Sequence, residues 1–269
     1  MQRIIFFHRF TLIIMAALVA WLAPCRAKAE TLPSNRPIRF VLVGDSTVAE
    51  KSGWGPGFAQ LLTQRATCTN TAAGGRSSKS FIGEGKWEKA LALRGDYYLI
   101  QFGHNDEPGK GADRETQPHT TYREFMARYV DEARAIGAKP VLITSLTRRQ
   151  FDKSGGGKIV SSLTPYVDEV KKLAAEKKVP LVDLHALSIA VCEKLGPQGC
   201  LAFSPHKTAP APNTSGTNQV DSPGPDDWDH THLNAKGSVL FGRIVAEELV
   251  RVAPELAPCF HVAPAAVKP

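Results

Sequence analysis

"IRFVLVGDSTVAEKSGWG" (Ile38–Gly55) opens with an apolar run from Ile38 to Val43 that stops abruptly on Gly44, Asp45, Ser46 and Thr47. A half-exposed strand alternates apolar with polar residues. "FVLV" does not, so it reads as a strand covered on both faces, which is the habit of parallel sheets flanked by helices. The polar stop has two explanations. Asp, Ser and Thr are good helix N-caps, so it is either a turn into a helix or a nucleophile held where a parallel sheet opens its strand ends to solvent.

The rest of the chain repeats the pattern. "TCTNTAAGG" (Thr67–Gly75) supplies a second strand and its loop, "DYYLIQFGHND" (Asp96–Asp106) a third ending near Phe102, "KPVLITSLT" (Lys139–Thr147) a fourth and "VPLVDLH" (Val179–His185) a fifth. Between them lie helix-period stretches: Gly57 to Gln64, Tyr122 to Ile136 stopped by Gly137, Leu163 to Lys178, and a last one from about Asn234 carrying Val239, Leu240, Ile244, Val245 and Leu249. Alternating strands and helices with short connections predict an α/β fold built on a five-stranded parallel sheet. Its polar loops "GDST", "GGRSS", "GHND" and "TRR" follow strands one to four, at the end where such sheets bind ligands. "FDKSGGGKIVSS" (Phe151–Ser162) reads as a hairpin or loop. "SPHKTAPAPNTSGTNQVDSPGPDD" (Ser204–Asp227) resists any packed-core reading and is expected to be a flexible rim or lid.

Residues 1–29 have the marks of an export signal: Arg3 and Arg9, an apolar run from Phe10 to Ala23, and Ala27-Lys28-Ala29 as a small-x-small cleavage site. The apolar run is shorter than the roughly 20 residues a membrane span needs. Removal after Ala29 takes away Arg3, Arg9, Arg26 and Lys28, so the net charge falls from +7 to +3. Such a mildly basic chain gives little support to nucleic-acid binding. Residues 30–269 are then expected to form one domain, with its core at about 38–250 and a disordered C-terminal tail, exported to the periplasm or beyond. Cys68, Cys192, Cys200 and Cys259 remain; an even count in an exported chain suggests disulfides, with Cys192–Cys200 the first guess and Cys68–Cys259 the remainder.

Serine is a poor nucleophile until a base takes its proton, and a carboxylate must orient that base. Ser46 sits at the first strand end. Asp229 and His232, three residues apart in "DDWDHTHLN" (Asp226–Asn234), supply an acid and a base. Acyl transfer also needs donors for the developing oxyanion. The backbone N–H groups of Ser46 and Gly75 and the side-chain amide of Asn105 qualify.

Taken together, "GDST", "GWG", "AAGGRSSKSF", "DYYLIQFGHND" and "DHTHLNAKG" resemble the blocks of the SGNH, or GDSL-type, hydrolases, and more narrowly their rhamnogalacturonan acetylesterase branch. The similarity runs from Ile38 to about Leu249. It implies a flavodoxin-like three-layer α/β/α sandwich and hydrolysis of acetyl esters on pectic polysaccharide. It also implies that Ser46 is the nucleophile, His232 the base, Asp229 its supporting acid, and Ser46, Gly75 and Asn105 the oxyanion hole. No cofactor and no metal are called for. The absence of a G-x-S-x-G string argues against the α/β-hydrolase elbow.

Other residues have competing explanations. Asp229, His230 and His232, with His185, have the chemistry of a metal cluster but no His-Glu-x-x-His spacing. Instead, His185 is expected to bond structurally, and His104 and His230 to pack or line the substrate rim. Asp45 is assigned to the turn. Arg148 or Arg149 is either a solvated loop charge or a bidentate partner for a uronate carboxylate, with Arg148 the first choice. Trp228, beside Asp229, is the tryptophan expected to touch substrate. The rivals to a pectin acetylesterase are a broad short-chain carboxylester hydrolase, an acetylxylan esterase, and a noncatalytic carbohydrate-binding protein. A monomer acting on acetylated polysaccharide is expected.

Overall fold

The computed structural model describes residues 36–153, 157–206 and 228–262. The N-terminal segment, most of the Pro-rich stretch, the three residues 154–156 and the C-terminal tail lie outside the described residues. So do the expectations attached to them.

Five parallel strands form one sheet: β1 (Ile38–Gly44), β2 (Ala66–Asn70), β3 (Tyr97–Gln101), β4 (Lys139–Ile143) and β5 (Leu181–Val182), in the order β2-β1-β3-β4-β5. The chain steps to one side of β1 to make β2, then crosses back to make β3 on the other side. That reversal opens a crevice beyond the carboxyl ends of β1 and β3.

The side chains of β1 explain its unbroken apolar run. Phe40 and Leu42 enter one core and Val41 and Val43 the other; Tyr97 and Leu99 separate from Tyr98 and Ile100 on β3 in the same way. The first core is closed by α1 (Gly55–Ala59), α6 (Leu184–Cys200) and α7 (Ala235–Val252), through Phe58, Leu184, Cys192, Phe241 and Val245. The second is closed by α2 (Ser78–Gly83), α3 (Lys86–Ala92), α4 (Arg123–Ala135) and α5 (Thr164–Lys177), through Phe81, Trp87, Tyr129 and Val170. This is the three-layer α/β/α sandwich expected. Each fully buried Leu, Ile or Phe contributes roughly 1.5–3 kcal/mol by leaving water.

One helix contact matters for the site. A Cβ on Gly57 of α1 would lie 2.0 Å from the Ser238 carbonyl, and one on Gly242 of α7 would lie 2.3 Å from the Phe58 nitrogen. Only glycines let the two backbones approach so closely. The crossing docks the start of α7, just after His232, against the helix that follows Ser46. Asn234 caps α7 by accepting the Gly237 N–H at 3.0 Å.

Several local expectations are corrected. The fifth strand is two residues long, because Asp183 accepts the Ala186 N–H and caps α6, turning the chain helical at Leu184. The stretch from Cys192 to Cys200 belongs to this helix, broken at Gly196 (φ 69°, ψ 176°) before Pro197. The helices α2 and α3 have no counterpart in the hydrophobic pattern. Finally, α1 begins two residues earlier than expected and ends at Ala59.

Cys68, Cys192, Cys200 and Cys259 are all free thiols, so neither expected disulfide is formed. Cys200 Sγ donates instead to the Cys192 carbonyl at 3.6 Å. The Phe151–Ile159 antiparallel bridge favours the hairpin of the two readings, hairpin or loop, expected for that segment.

Candidate active site

The turn after β1 is tied down by its own side chains. Asp45 is fully buried, and its Oδ1 accepts the Thr47 N–H at 2.8 Å and the Thr47 hydroxyl at 2.7 Å. Gln101 donates to Thr47 Oγ1 at 2.6 Å and accepts the Trp54 indole N–H at 2.9 Å. The β1–β3 register sets Gln101 opposite Gly44, which is why it reaches the turn. Burial would raise the Asp45 carboxyl, but the His104 ring 3.5 Å away and the Thr47 bonds outweigh it and hold the group below its ordinary value. Asp45 thus has the turn-holding part assigned to it.

This scaffold leaves Ser46 half-buried at the mouth of the crevice. Its Oγ lies 2.8 Å from His232 Nε2, although 186 residues separate the two in sequence. His232 Nδ1 lies 2.6 Å from Asp229 Oδ2, while Asp229 Oδ1 accepts the N–H groups of Thr231 (2.7 Å) and His232 (2.9 Å). One carboxylate therefore shapes the loop with one oxygen and orients the imidazole with the other. With Nδ1–H donating to Asp229, Nε2 is left as the acceptor facing the serine hydroxyl.

The remaining expected residues converge on the same place. A Cβ on Gly74 would lie 3.6 Å from Ser46 Cβ, so the "GGRSS" loop adjoins the serine. Gly75 has φ +74°, a conformation side chains disfavour. Among the described residues nothing accepts from the N–H of Ser46 or of Gly75, so both donors are unspent. Asn105 uses its amide once, toward the Arg76 carbonyl at 3.1 Å, and keeps its other N–H.

A model of the GDSL-like lipase/acylhydrolase family matches residues 42–240, from the middle of β1 into α7. The chain belongs to this family. It is 37% identical over 227 residues to the rhamnogalacturonan acetylesterase RhgT of Bacillus subtilis, covering 79% of this chain and 90% of that protein. It is 29% identical over 231 residues to the rhamnogalacturonan acetylesterase of Emericella nidulans, covering 77% and 82%. The crystal structure of YxiM from Bacillus subtilis superposes with a TM-score of 0.64 at 26% identity. That match takes in 80% of this chain and 56% of the other, so the chain spans little more than half the length of YxiM. As a GDSL-like acylhydrolase the protein is a carboxylic ester hydrolase.

The charges at the heart of this GDSL-like site bind Asp229 and His232 to each other. Burial works to raise the Asp229 carboxyl, yet the bonds from the His232 ring and from the His232 and Thr231 N–H groups win, holding it far below the ordinary carboxylate range. The same Asp229 bond raises His232 above the ordinary imidazole value against its own partial burial. Among the described residues no three His, Cys, Asp or Glu side chains gather as a metal site. His185 is bonded through Nδ1 with the Ser145 carbonyl at 2.9 Å, and His104 is buried.

The structure disposes of Arg148 differently from the expectation. Its guanidinium fork is taken by Glu107 (2.5 and 3.2 Å), with Ser162 Oγ at 3.1 Å, and the pair is largely buried. A fork already holding one carboxylate is not free for a uronate. Trp228 is part-exposed beside Asp229, its ring 3.8 Å from that of His206.

Three contributors have roles that no signature in sequence gives away. Gln101 lies inside an apolar strand, and only sheet register reveals its partner. Asp106, next to Asn105, is fully buried and joins the segment after Gly75 to the one after Asn105: it accepts the Ser78 hydroxyl and N–H and the Thr116 hydroxyl. Burial nevertheless pushes its carboxyl up to about 7. The third, Arg149, turns inward while its neighbour Arg148 pairs with Glu107.

Proposed function

We propose that this ester hydrolase is an exported acetylesterase acting on plant cell-wall polysaccharide, specifically acetylated pectin of the rhamnogalacturonan type. The Ser46–His232–Asp229 relay, with contacts of 2.8 and 2.6 Å beside two unspent N–H donors, is the observation that carries this proposal. The likeness to RhgT, a rhamnogalacturonan acetylesterase, supports the choice of substrate. The N-terminal Arg-rich and apolar segment ending at Ala29 supports export.

In the proposed reaction Ser46 Oγ attacks the acetyl carbonyl carbon as His232 Nε2 takes its proton. The carbonyl oxygen becomes negative and is met by the N–H groups of Ser46 and Gly75 and by the Asn105 amide. Each such donor contributes about 2.7–4 kcal/mol to lowering the barrier. The imidazolium, steadied by Asp229, returns the proton to the sugar oxygen, the C–O bond breaks and the deacetylated sugar leaves acetyl-Ser46. Water then attacks the acetyl group, again losing a proton to His232, and acetate and free Ser46 are regenerated. No redox step and no cofactor enter.

The test is acetate release from a panel of acetylated rhamnogalacturonan, acetylated xylan and small acetate esters, by the parent and by Ser46→Ala. The expected result is the highest kcat/KM on rhamnogalacturonan, with loss of all activity and of fluorophosphonate labelling in Ser46→Ala. Equal or better turnover of xylan would refute the substrate. Retained activity in Ser46→Ala would refute the site. Export is tested by N-terminal sequencing of the protein recovered outside the cytoplasm, which is expected to begin at Glu30.

A further inference from the structure

Three of the four backbone carbonyls from Asp229 to His232 bond to a single residue outside that stretch. Arg149, just beyond β4, donates from Nη2 to the carbonyls of Asp229 (2.8 Å) and His232 (2.5 Å), and from its backbone N–H to the carbonyl of His230 (2.8 Å). Its Nε donates to Ser204 Oγ at 3.0 Å, which fixes the plane of the guanidinium. The residue is 2% exposed.

We propose that Arg149 is the positioning residue of the Asp229–His232 loop, its guanidinium clamping both ends of that loop so that the imidazole is delivered to Ser46. The proposal rests on the assignment of Ser46 and His232 to catalysis.

The loop needs such a device because neither helix nor strand holds it. Besides the bonds that Asp229 Oδ1 accepts from the Thr231 and His232 N–H groups within the loop, its backbone is tied at its edges by Asp229 N–H to the Pro205 carbonyl (3.0 Å), Leu233 N–H to the Ser52 carbonyl (2.8 Å) and Asn234 N–H to the Phe203 carbonyl (2.9 Å). A buried cation is expensive unless it is well bonded. Here Nη2 and Nε are bonded while Nη1 is buried with no hydrogen-bond partner among the described residues, so the cation is held at a cost. Its bonded edge faces carbonyls on both sides of the base, which is an odd place to spend that cost for fold stability alone. An arginine suits the task because its planar fork reaches separated acceptors in a fixed geometry, whereas a lysine ammonium is one flexible point charge.

The position also has an electrostatic consequence. His232 is faced by Asp229 on its own loop, by Asp45 after β1 and by Arg149 after β4; the two carboxylates raise its affinity for a proton and Arg149 lowers it. Arg149 in turn faces Cys192 and Cys200 on α6 as well as Asp229. Removing the guanidinium therefore does two separable things: it frees the loop, and it takes a positive charge away from the base.

The experiment compares Arg149→Met and Arg149→Lys with the parent on 4-nitrophenyl acetate, recording kcat, KM and the pH dependence of kcat/KM, with Ser46→Ala as the reference. Arg149→Met is expected to lose about 10²-fold in kcat, the usual cost of a misplacement near 1 Å. Its KM is expected to change little, and the acid limb of kcat/KM to move to higher pH. Arg149→Lys keeps the charge, so its acid limb stays in place while kcat recovers part of the loss. The clamp is refuted if Arg149→Met keeps kcat within twofold, or if both variants lose equally with unmoved acid limbs. Should Arg149→Met fail to fold, Arg149→Lys and Ser204→Ala decide: each is expected to lower kcat at constant KM, and parental kcat in both overturns the proposal. An inactive Ser46→Ala beside parental Arg149 variants sinks the clamp alone, whereas an active Ser46→Ala sinks the catalytic assignment beneath it.

Discussion

Replacing Asp229 by asparagine separates the two duties of this side chain. The carboxylate accepts three hydrogen bonds, two backbone N–H groups on Oδ1 and the His232 ring on Oδ2. In Asp229→Asn the amide oxygen takes over Oδ1 and keeps the loop shape, so the variant should fold with a melting temperature near the parent's. The amide NH₂ then faces His232 Nδ1 and donates to it, which forces the proton onto Nε2. An Nε2–H pointing at Ser46 Oγ, 2.8 Å away, cannot take the hydroxyl proton. Restoring the productive tautomer means setting two donors against each other and forgoing the anion that stabilises the imidazolium. Together these are worth about 4–5.5 kcal/mol, a loss of 10³–10⁴ in kcat. The acid limb of kcat/KM shifts as well. Asp229 is the main cause of the raised His232 affinity for protons, so without it the limb moves to lower pH. The assay is steady-state hydrolysis of 4-nitrophenyl acetate between pH 5 and 9, with thermal unfolding as the control for folding. A kcat within tenfold of the parent, in a folded variant, would refute the orienting role of Asp229.

Three further outcomes are expected. Asn105→Ala removes an oxyanion donor and should lower kcat by about 10²–10³ with KM nearly constant; a matching rise in KM would instead point to a ground-state binding role, as kinetics on a small acetate will tell. Arg148→Ala strands Glu107 in a largely buried site and should cost roughly 3 kcal/mol of stability, measured by urea unfolding. Its activity loss should be equal on charged polymer and neutral ester, and a selective loss on the polymer would restore a uronate contact. The Asp106 carboxyl, pushed up to about 7 by burial, binds its proton more tightly folded than unfolded. Its contribution is thus complete below the unfolded value and declines as pH rises toward about 7. The stability difference between parent and Asp106→Asn should accordingly change across that window and be flat above it, which urea midpoints at pH 4 to 8 would reveal.

What the sequence by itself determined was whatever is encoded within a few neighbouring residues. The unbroken "FVLV" and "YYLI" runs announced doubly covered strands, the polar stops after them announced strand-end loops, and Asn234 announced the start of α7. Ser46, Asp229 and His232, which the fold brings within hydrogen-bond reach of one another, were legible as a candidate set, because each lies in a distinctive short block. Where local signals ran thin the sequence misled: Asp183 ends β5 after two residues by capping a helix whose pattern was masked by the Gly196–Pro197 break.

Only the tertiary structure decided which of two adjacent arginines turns outward to Glu107 and which turns inward to the loop of the base. It also decided that Gln101 braces the turn carrying Ser46 and that Asp106 ties Ser78 and Thr116 together. Each of these depends on the register and order of strands far apart in the chain. A side chain's partner across a sheet is set by packing of the whole, and no nearest-neighbour pattern records it.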